Sequence, residues 1–174
     1  MSVRIEGPAI VVSISAYNAR MQWVYLDNNA TTQPAPEVVS AMADKASDSK
    51  LADRLSAAKN GIDQHTRLLK YLLEDIDADV EKEHCKGMEG LVKEARKHAL
   101  DSDLSGAALD VAIIAQYQRM CHYGIAGFGT TKAFAEALGE NDAARKLDDA
   151  LDNIYESDDF MTELAERSRN VDAG

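Results

Sequence analysis

Only three prolines interrupt the 174 residues, Pro8, Pro34 and Pro36, and the 138 residues that follow contain none. A chain free of proline over that length can run in long unbroken helices. Aromatic residues are scarce at 6%, which argues against a sandwich of interdigitating sheets. Two cysteines, Cys85 and Cys121, cannot form a disulfide framework of any size. No stretch reaches the roughly 18 apolar residues that a membrane helix needs. Positive charge is also short, with 19 Lys and Arg against 30 Asp and Glu and a net charge of −11. From Glu136 onward there are 12 acidic residues and 4 basic ones. Such a surface repels phosphate backbones and anionic lipid, so neither nucleic acid nor a membrane is an expected partner. A solvated acidic face that keeps the chain soluble accounts for it.

What is present is a 45% apolar fraction on a chain long enough for one domain with a real core. Ala and Leu dominate it, and an all-α fold is expected. The first 35 residues differ in texture and are read as an extended arm, with residues 36–174 as the bundle. Within the arm, Ala9–Ser15 (AIVVSIS) is β-branched and suits a strand or extended segment. Arg4 and a short apolar run begin the chain, but Glu6 interrupts them and no cleavage site follows, so a cytoplasmic protein is expected. Asp27-Asn28-Asn29 forms turns readily.

From Pro36 the spacing becomes helical. Pro36 and Glu37 suit a first turn, and this helix is expected to reach about Ala46. Ser47-Asp48-Ser49 then caps a long helix from Lys50 to Glu74. Its apolar face is Leu51, Leu55, Ala58, Ile62, His65, Leu69, Leu72 and Leu73. After the acidic stretch at 75–79, a helix from about Lys82 to Leu100 carries Cys85, Met88 and Val92 on one face. His84-Cys85 has zinc-ligand chemistry, but no CxxC or HxxxH partner accompanies it. Cys85 reads as a small core hydrophobe, and His98 as a surface residue near a helix end.

The longest helical pattern is Asp110–Gly139 (DVAIIAQYQRMCHYGIAGFGTTKAFAEALG), started by Ser102-Asp103 or Ser105. Val111, Ile114, Tyr117, Gln118, Cys121, Ile125 and Phe128 share a face, widened by Ile113, Met120 and Ala126. A face that broad must touch more than one neighbour. Gly124, Gly127 and Gly129 each cost roughly 1 kcal/mol of helix propensity, so either a break or close packing is expected there. The last helix opens at Asn141-Asp142 and buries Ala144, Leu147, Leu151, Ile154, Phe160, Met161 and Leu164. The polar tail from Arg167 is expected to fray.

The segment VYLDNNATTQPAPEVVSAM at 24–42 resembles the opening of NifS-type cysteine desulfurases, pyridoxal-phosphate enzymes that take sulfur from cysteine. The remaining chain has no room for that family's cofactor domain, its Schiff-base lysine or its persulfide loop. Desulfurase activity is therefore not expected. A sulfur-trafficking accessory, with Cys121 or Cys85 as carrier, is the remote reading this segment supplies.

Four other stretches resemble the YciF-type bacterial stress proteins. They are MADKASDSKLADRL (42–55), HCKGMEGLVKE (84–94), AQYQRMCHYGIAGFGTTKAFAEALG (115–139) and LDNIYESDDFMTELAERS (151–168). The resemblance covers about 42–170 in order and without a sizeable gap. It implies a ferritin-like four-helix bundle with additional short helices, commonly a dimer, built around a two-metal carboxylate centre. Such centres need several inward carboxylates, because two hard cations carry more charge than imidazoles can offset. The family pattern reads Glu-His-Tyr-Glu where this chain has Cys121-His122-Tyr123-Gly124. It has a Glu pair at Asn153-Ile154 and a Glu-rich run at Lys59-Asn60-Gly61. The family's inward Glu of the first helix falls near Thr32.

Of the implied ligand set, His65, His122, Asp158 and Asp63 survive, with Glu156 nearby. The resemblance with these departures implies a stress-associated protein with a degenerate, metal-free site, acting as a structural or binding protein without catalytic residues or a cofactor. Its expected assembly is a homodimer. Ile154 at a ligand position predicts a centre filled with hydrocarbon. The alternative is a single iron, manganese or zinc ion held by His65, His122 and Asp158, with Cys121 beside them, as a residual metal-binding or oxidoreductase module.

Overall fold

The computed structural model describes residues 36–75 and 85–171, with side chains as far as Arg167. The readings for the arm at 1–35, the acidic loop and His84 lie outside them. Among the described residues the elements are all helical. They are α1 (Pro36–Lys45), α2 (Ser49–Asp75), α3 (Lys86–Ala95), α4 (Gly106–Leu138) and α5 (Asn141–Val171). A wider π turn, Arg96–Leu100, extends α3 and is closed by the Asp101 N–H donating to the Arg96 carbonyl at 2.7 Å. The expected all-α ferritin-like bundle is the one formed, and α5 stays helical as far as Val171, within the stretch from Arg167 read as frayed. None of the described helices is long and apolar enough to cross a membrane.

Local chemistry sets the boundaries. Asp48 caps α2, its Oδ1 accepting from the backbone N–H of Lys50 at 2.7 Å and of Leu51 at 3.1 Å. Gly139 ends α4 in the left-handed region, at φ 80°, which a residue with a Cβ enters only under strain. The Glu140 N–H then reaches back to the Ala135 carbonyl at 2.9 Å, and α5 begins two residues after the glycine. The reversal sets α4 and α5 antiparallel. Lys132 pairs with Asp148 at 2.8 Å near the turn, while Gln118 donates to Thr162 at 2.9 Å far from it.

The interior has two apolar cores. One is built by Val38, Val39 and Met42 of α1 with Leu51, Leu55, Ile113, Met120 and Met161. The other lies toward the α4–α5 turn and joins Leu69, Leu73, Phe128, Leu147 and Leu151. Helix α4 contributes to both, so it is enclosed over a wide arc, as its broad apolar face foretold. The phase of that arc differs from expectation. Val111 is 48% exposed and Ala126 is exposed, whereas Asp110 and Gln116 are buried. Neighbours cover α4 on the Ile113–Tyr117–Met120 side and leave the Val111 side to solvent. The glycines do not break the helix. A Cβ at Gly124 would meet Ile154 Cδ1 at 3.8 Å, and one at Gly129 would meet Leu151 Cδ2 at 4.0 Å, so they lie where α4 rests on α5.

Asp110 is the polar anchor of the fold. Only 8% exposed, its carboxylate accepts hydrogen bonds from the Ser47 N–H at 2.8 Å, the Asp48 N–H at 3.1 Å and the Ser47 hydroxyl. Those donors sit in the α1–α2 junction, so one side chain ties that hairpin to α4. Lys45 adds a second tie by donating to the Leu100 carbonyl. Asp110→Ala would strand three donors, at about 1–3 kcal/mol for such unsatisfied groups. Urea unfolding should show that loss, with a smaller one for Asp110→Asn. An unchanged midpoint for Asp110→Ala would remove this anchor from the account.

Candidate functional site

Between the two apolar cores, α2, α4 and α5 part around a half-enclosed cavity of about 260 Å³. Helix α4 supplies Tyr117, Cys121 and Gly124 to it. These positions follow one another at spacings of four and three, so they lie on one face. The Tyr117 hydroxyl is hydrogen-bonded to the Ser157 hydroxyl at 2.9 Å across the α4–α5 contact. From α2 come Arg54, Gly61 and His65. His65 packs its ring against Phe128, with centroids 5.5 Å apart.

Burial governs the protonation of these groups. The Cys121 thiol is 5% exposed and is pushed up to about 12, mainly by desolvation, with the negative charge of Asp158 adding to the effect. Desolvation raises the Tyr117 phenol further above its usual range and lowers His65, which therefore stays neutral near pH 7. A buried neutral thiol is a poor nucleophile and a poor carrier, so the chemistry of Cys121 does not favour a sulfur relay. Cys85 is partly buried against the first core, and its Sγ lies 3.4 Å from the Tyr123 hydroxyl.

The residues singled out as ligands are distributed over separate surroundings. His122 Nε2 lies 3.1 Å from Asp158 Oδ2, so these two are brought together. The His122 side chain is 66% exposed. His65 faces Phe128 and the cavity, and Asp63 instead pairs with Lys59 at 3.1 Å. Among the described residues, no three His, Cys, Asp or Glu side chains gather closely enough to hold a metal ion. Consecutive residues on a helix point about 100° apart, which explains how the tetrad at 121–124 separates. Cys121 and Gly124 line the cavity, His122 turns to Asp158, and Tyr123 lies over Gly87 of α3, where an added Cβ would collide with its hydroxyl.

Asn60, Gly61, Cys121, Gly124, Asn153 and Ile154, far apart in the chain, all line this one cavity. They are among the positions at which the resemblance places carboxylates. Lys59, from the same run as Asn60 and Gly61, lies outside the cavity and pairs with Asp63, and the position near Thr32 lies outside the described residues. Among the described residues the lining holds one carboxylate, Glu156, which is exposed. Ile154 was expected to fill the centre with hydrocarbon. It is instead only partly buried beside a persistent cavity. Two of the six positions are glycine, and a single isoleucine cannot replace the volume of several long side chains.

A family model described as "Domain of unknown function (DUF892)" matches residues 27–173. The chain belongs to the DUF892 family. The match takes in most of the desulfurase-like segment as well as the whole described bundle. "Protein YciF" of Escherichia coli strain K12 is 36% identical to this chain over 109 residues. That alignment covers 58% of this chain and 65% of YciF, so it spans just under two thirds of the relative. The crystal structure of the E. coli stress protein YciF superposes with a TM-score of 0.83 at 25% identity. It covers 88% of this chain and 97% of that one. YcfI, a proposed structural protein from Rhodopseudomonas palustris, superposes with a TM-score of 0.68 at 25% identity, over 80% and 85% of the two chains. The helical YciF-type fold read from the sequence is thus the one this DUF892 chain adopts.

The raised Cys121 and lowered His65 give this region a defined pH response. The unfolded thiol releases its proton from about pH 9, whereas the folded one holds it to about 12. Its contribution to stability is therefore complete below pH 9 and is lost as pH rises toward 12, a loss that buried Tyr117 shares. For His65 the neutral form is favoured on folding. Its contribution is present above the unfolded value of 6.5 and is lost as pH falls below it. Urea midpoints measured across pH should fall on both sides, with Cys121→Ala flattening the alkaline limb and His65→Gln the acid limb. Unaltered limbs in both variants would contradict these assignments.

Proposed function

We propose that this protein is a stress-associated member of its family with a structural or binding role, in which the two-metal centre of a ferritin-like bundle has become a metal-free cavity. One observation carries the reading. Six dispersed positions converge on a single cavity and bring to it amide, thiol, isoleucine and glycine in place of carboxylate. Two hard cations need several anionic oxygens to balance their charge, and one solvent-exposed Glu156 does not supply them. A half-complete set of buried charges is also unfavourable in a bundle interior. The description of YciF as a stress protein and of YcfI as a proposed structural protein fits a role that does not depend on turnover.

The second reading is a single divalent ion at His122 and Asp158. It is favoured by Asp158 Oδ1, which is buried and has no hydrogen-bond partner. A carboxylate oxygen left in that state is where a cation or a water would be held. With one imidazole and one carboxylate from the described residues, such an ion would be bound weakly.

The protein is further proposed to act as a homodimer. The outer side of α4 presents Val111, Ala115 and Ala126 to solvent, with Arg119 and His122 between them, a mixed face that a second copy could cover. Native mass spectrometry of protein expressed with added iron and manganese reads assembly and metal content together. A dimer mass with well under one ion per chain is expected. One ion per chain that disappears in Asp158→Asn would replace the leading reading by the second. Two ions per chain would contradict both, and a monomer mass at micromolar concentration would contradict the dimer.

A further inference from the structure

We propose that the cavity between α2, α4 and α5 binds a small organic anion, a carboxylate on a compact apolar or aromatic body, with Arg54 receiving the charged group. This assigns a ligand class to the site described above and rests on its being free of metal.

The argument begins with Arg54. It lines the cavity, and its Nε is buried without a hydrogen-bond partner. Its guanidinium rests over the Phe160 ring, 5.3 Å from the centroid, which orients the planar fork without satisfying its donors. Among the described residues no carboxylate forms an ion pair with it. A buried guanidinium donor left unmatched is unfavourable, and an entering carboxylate would answer it with charge-assisted hydrogen bonds. The positive charge also bears on the interior. Arg54 shares the lining with the Tyr117 phenol and the Cys121 thiol, and acts on both in the direction that favours their ionised forms.

The rest of the lining sets the body of the ligand. Met120, Ile62, Ile154 and Ala58 offer apolar surface, and Gly61 and Gly124 leave space where side chains would otherwise stand. A Cβ on Gly61 would meet nothing within 4 Å. An apolar cavity of about 150 Å³ accepts benzene, so about 260 Å³ accommodates a ring bearing a small substituent. Tyr117 and Ser157 already satisfy one another. His65 is uncharged near neutral pH, which leaves Arg54 as the cation of the lining, while Glu156 remains at the exposed mouth. Inorganic anions would match the charge but leave the apolar walls uncovered.

Benzoate is the probe, and benzamide its neutral near-isostere. Binding to the full chain is followed by amide chemical shifts in two-dimensional NMR, on protein whose metal content has been measured. Saturable benzoate shifts are expected at residues of α2, α4 and α5 around the cavity, with benzamide at least tenfold weaker. Arg54→Gln should abolish that preference. Gly61→Leu, which enters open space and removes an internal helical glycine, should block both compounds while leaving the fold intact. The proposal is overturned if benzoate produces no saturable shifts at millimolar concentration, if benzamide binds equally well, or if Gly61→Leu binds benzoate like the parent. Any of these results in metal-free protein removes the anion site and leaves the metal-free reading standing. Two bound metal ions would remove that reading first.

Discussion

The structure depends on the enclosure of one long helix. Helix α4 runs 33 residues, roughly 50 Å at 1.5 Å per residue, and its apolar residues extend around much of its circumference. Such a helix is stable in water only when neighbours cover it on several sides. At one end α1, α2, α3 and the π turn combine with α5 to do so, and at the other α2 and α5 suffice. Asp110 fixes the arrangement by holding the α1–α2 junction against the start of α4. The left-handed Gly139 fixes it again by folding α5 back along the same helix. The cavity lies between the two cores, where packing passes from one set of neighbours to the other.

Much of this was legible in the sequence because it is local or periodic. Asp48 as a cap and the α2 face from Leu51 to Leu73 follow from residue types and spacings, and the structure places them as expected. The burial of Cys121 and the partial burial of Cys85 followed in the same way. What spacing could not supply was the direction in which each neighbour approaches. An apolar pattern all round α4 does not tell which side is left bare, so Val111 was assigned to the interior and lies outside. Asp110 was unremarkable in the sequence because its partners are more than 60 residues away. The two glycines on the α4–α5 contact were ambiguous between a break and close packing, and only the neighbouring helix resolves them.

The candidate site was legible in an uneven way. Comparison with the YciF pattern marked Lys59, Asn60, Gly61, Cys121, Gly124, Asn153 and Ile154 as replaced ligand positions among the described residues. All but Lys59, which pairs with Asp63, line one cavity. The surviving polar residues did not assemble as proposed. His122 pairs with Asp158, His65 packs on Phe128, and Asp63 pairs with Lys59. Arg54 carried no sequence signal, since an arginine on a long helix is ordinarily a solvated residue. Its importance lies in a buried, unmatched Nε that only the packing of α2 against Phe160 creates. On the proposed reading, glycine and cysteine at positions where the YciF pattern has long acidic side chains account for the space at the centre of this bundle.

Anomalous diffraction from crystals grown with manganese locates metal independently of how tightly it survives purification. The central claim is that the bundle's centre is a cavity without ligands for a two-metal cluster. It predicts no anomalous peak between Gly61, Cys121 and Ile154. Two peaks there, separated by about 3.5–4 Å as in two-metal centres, would contradict it.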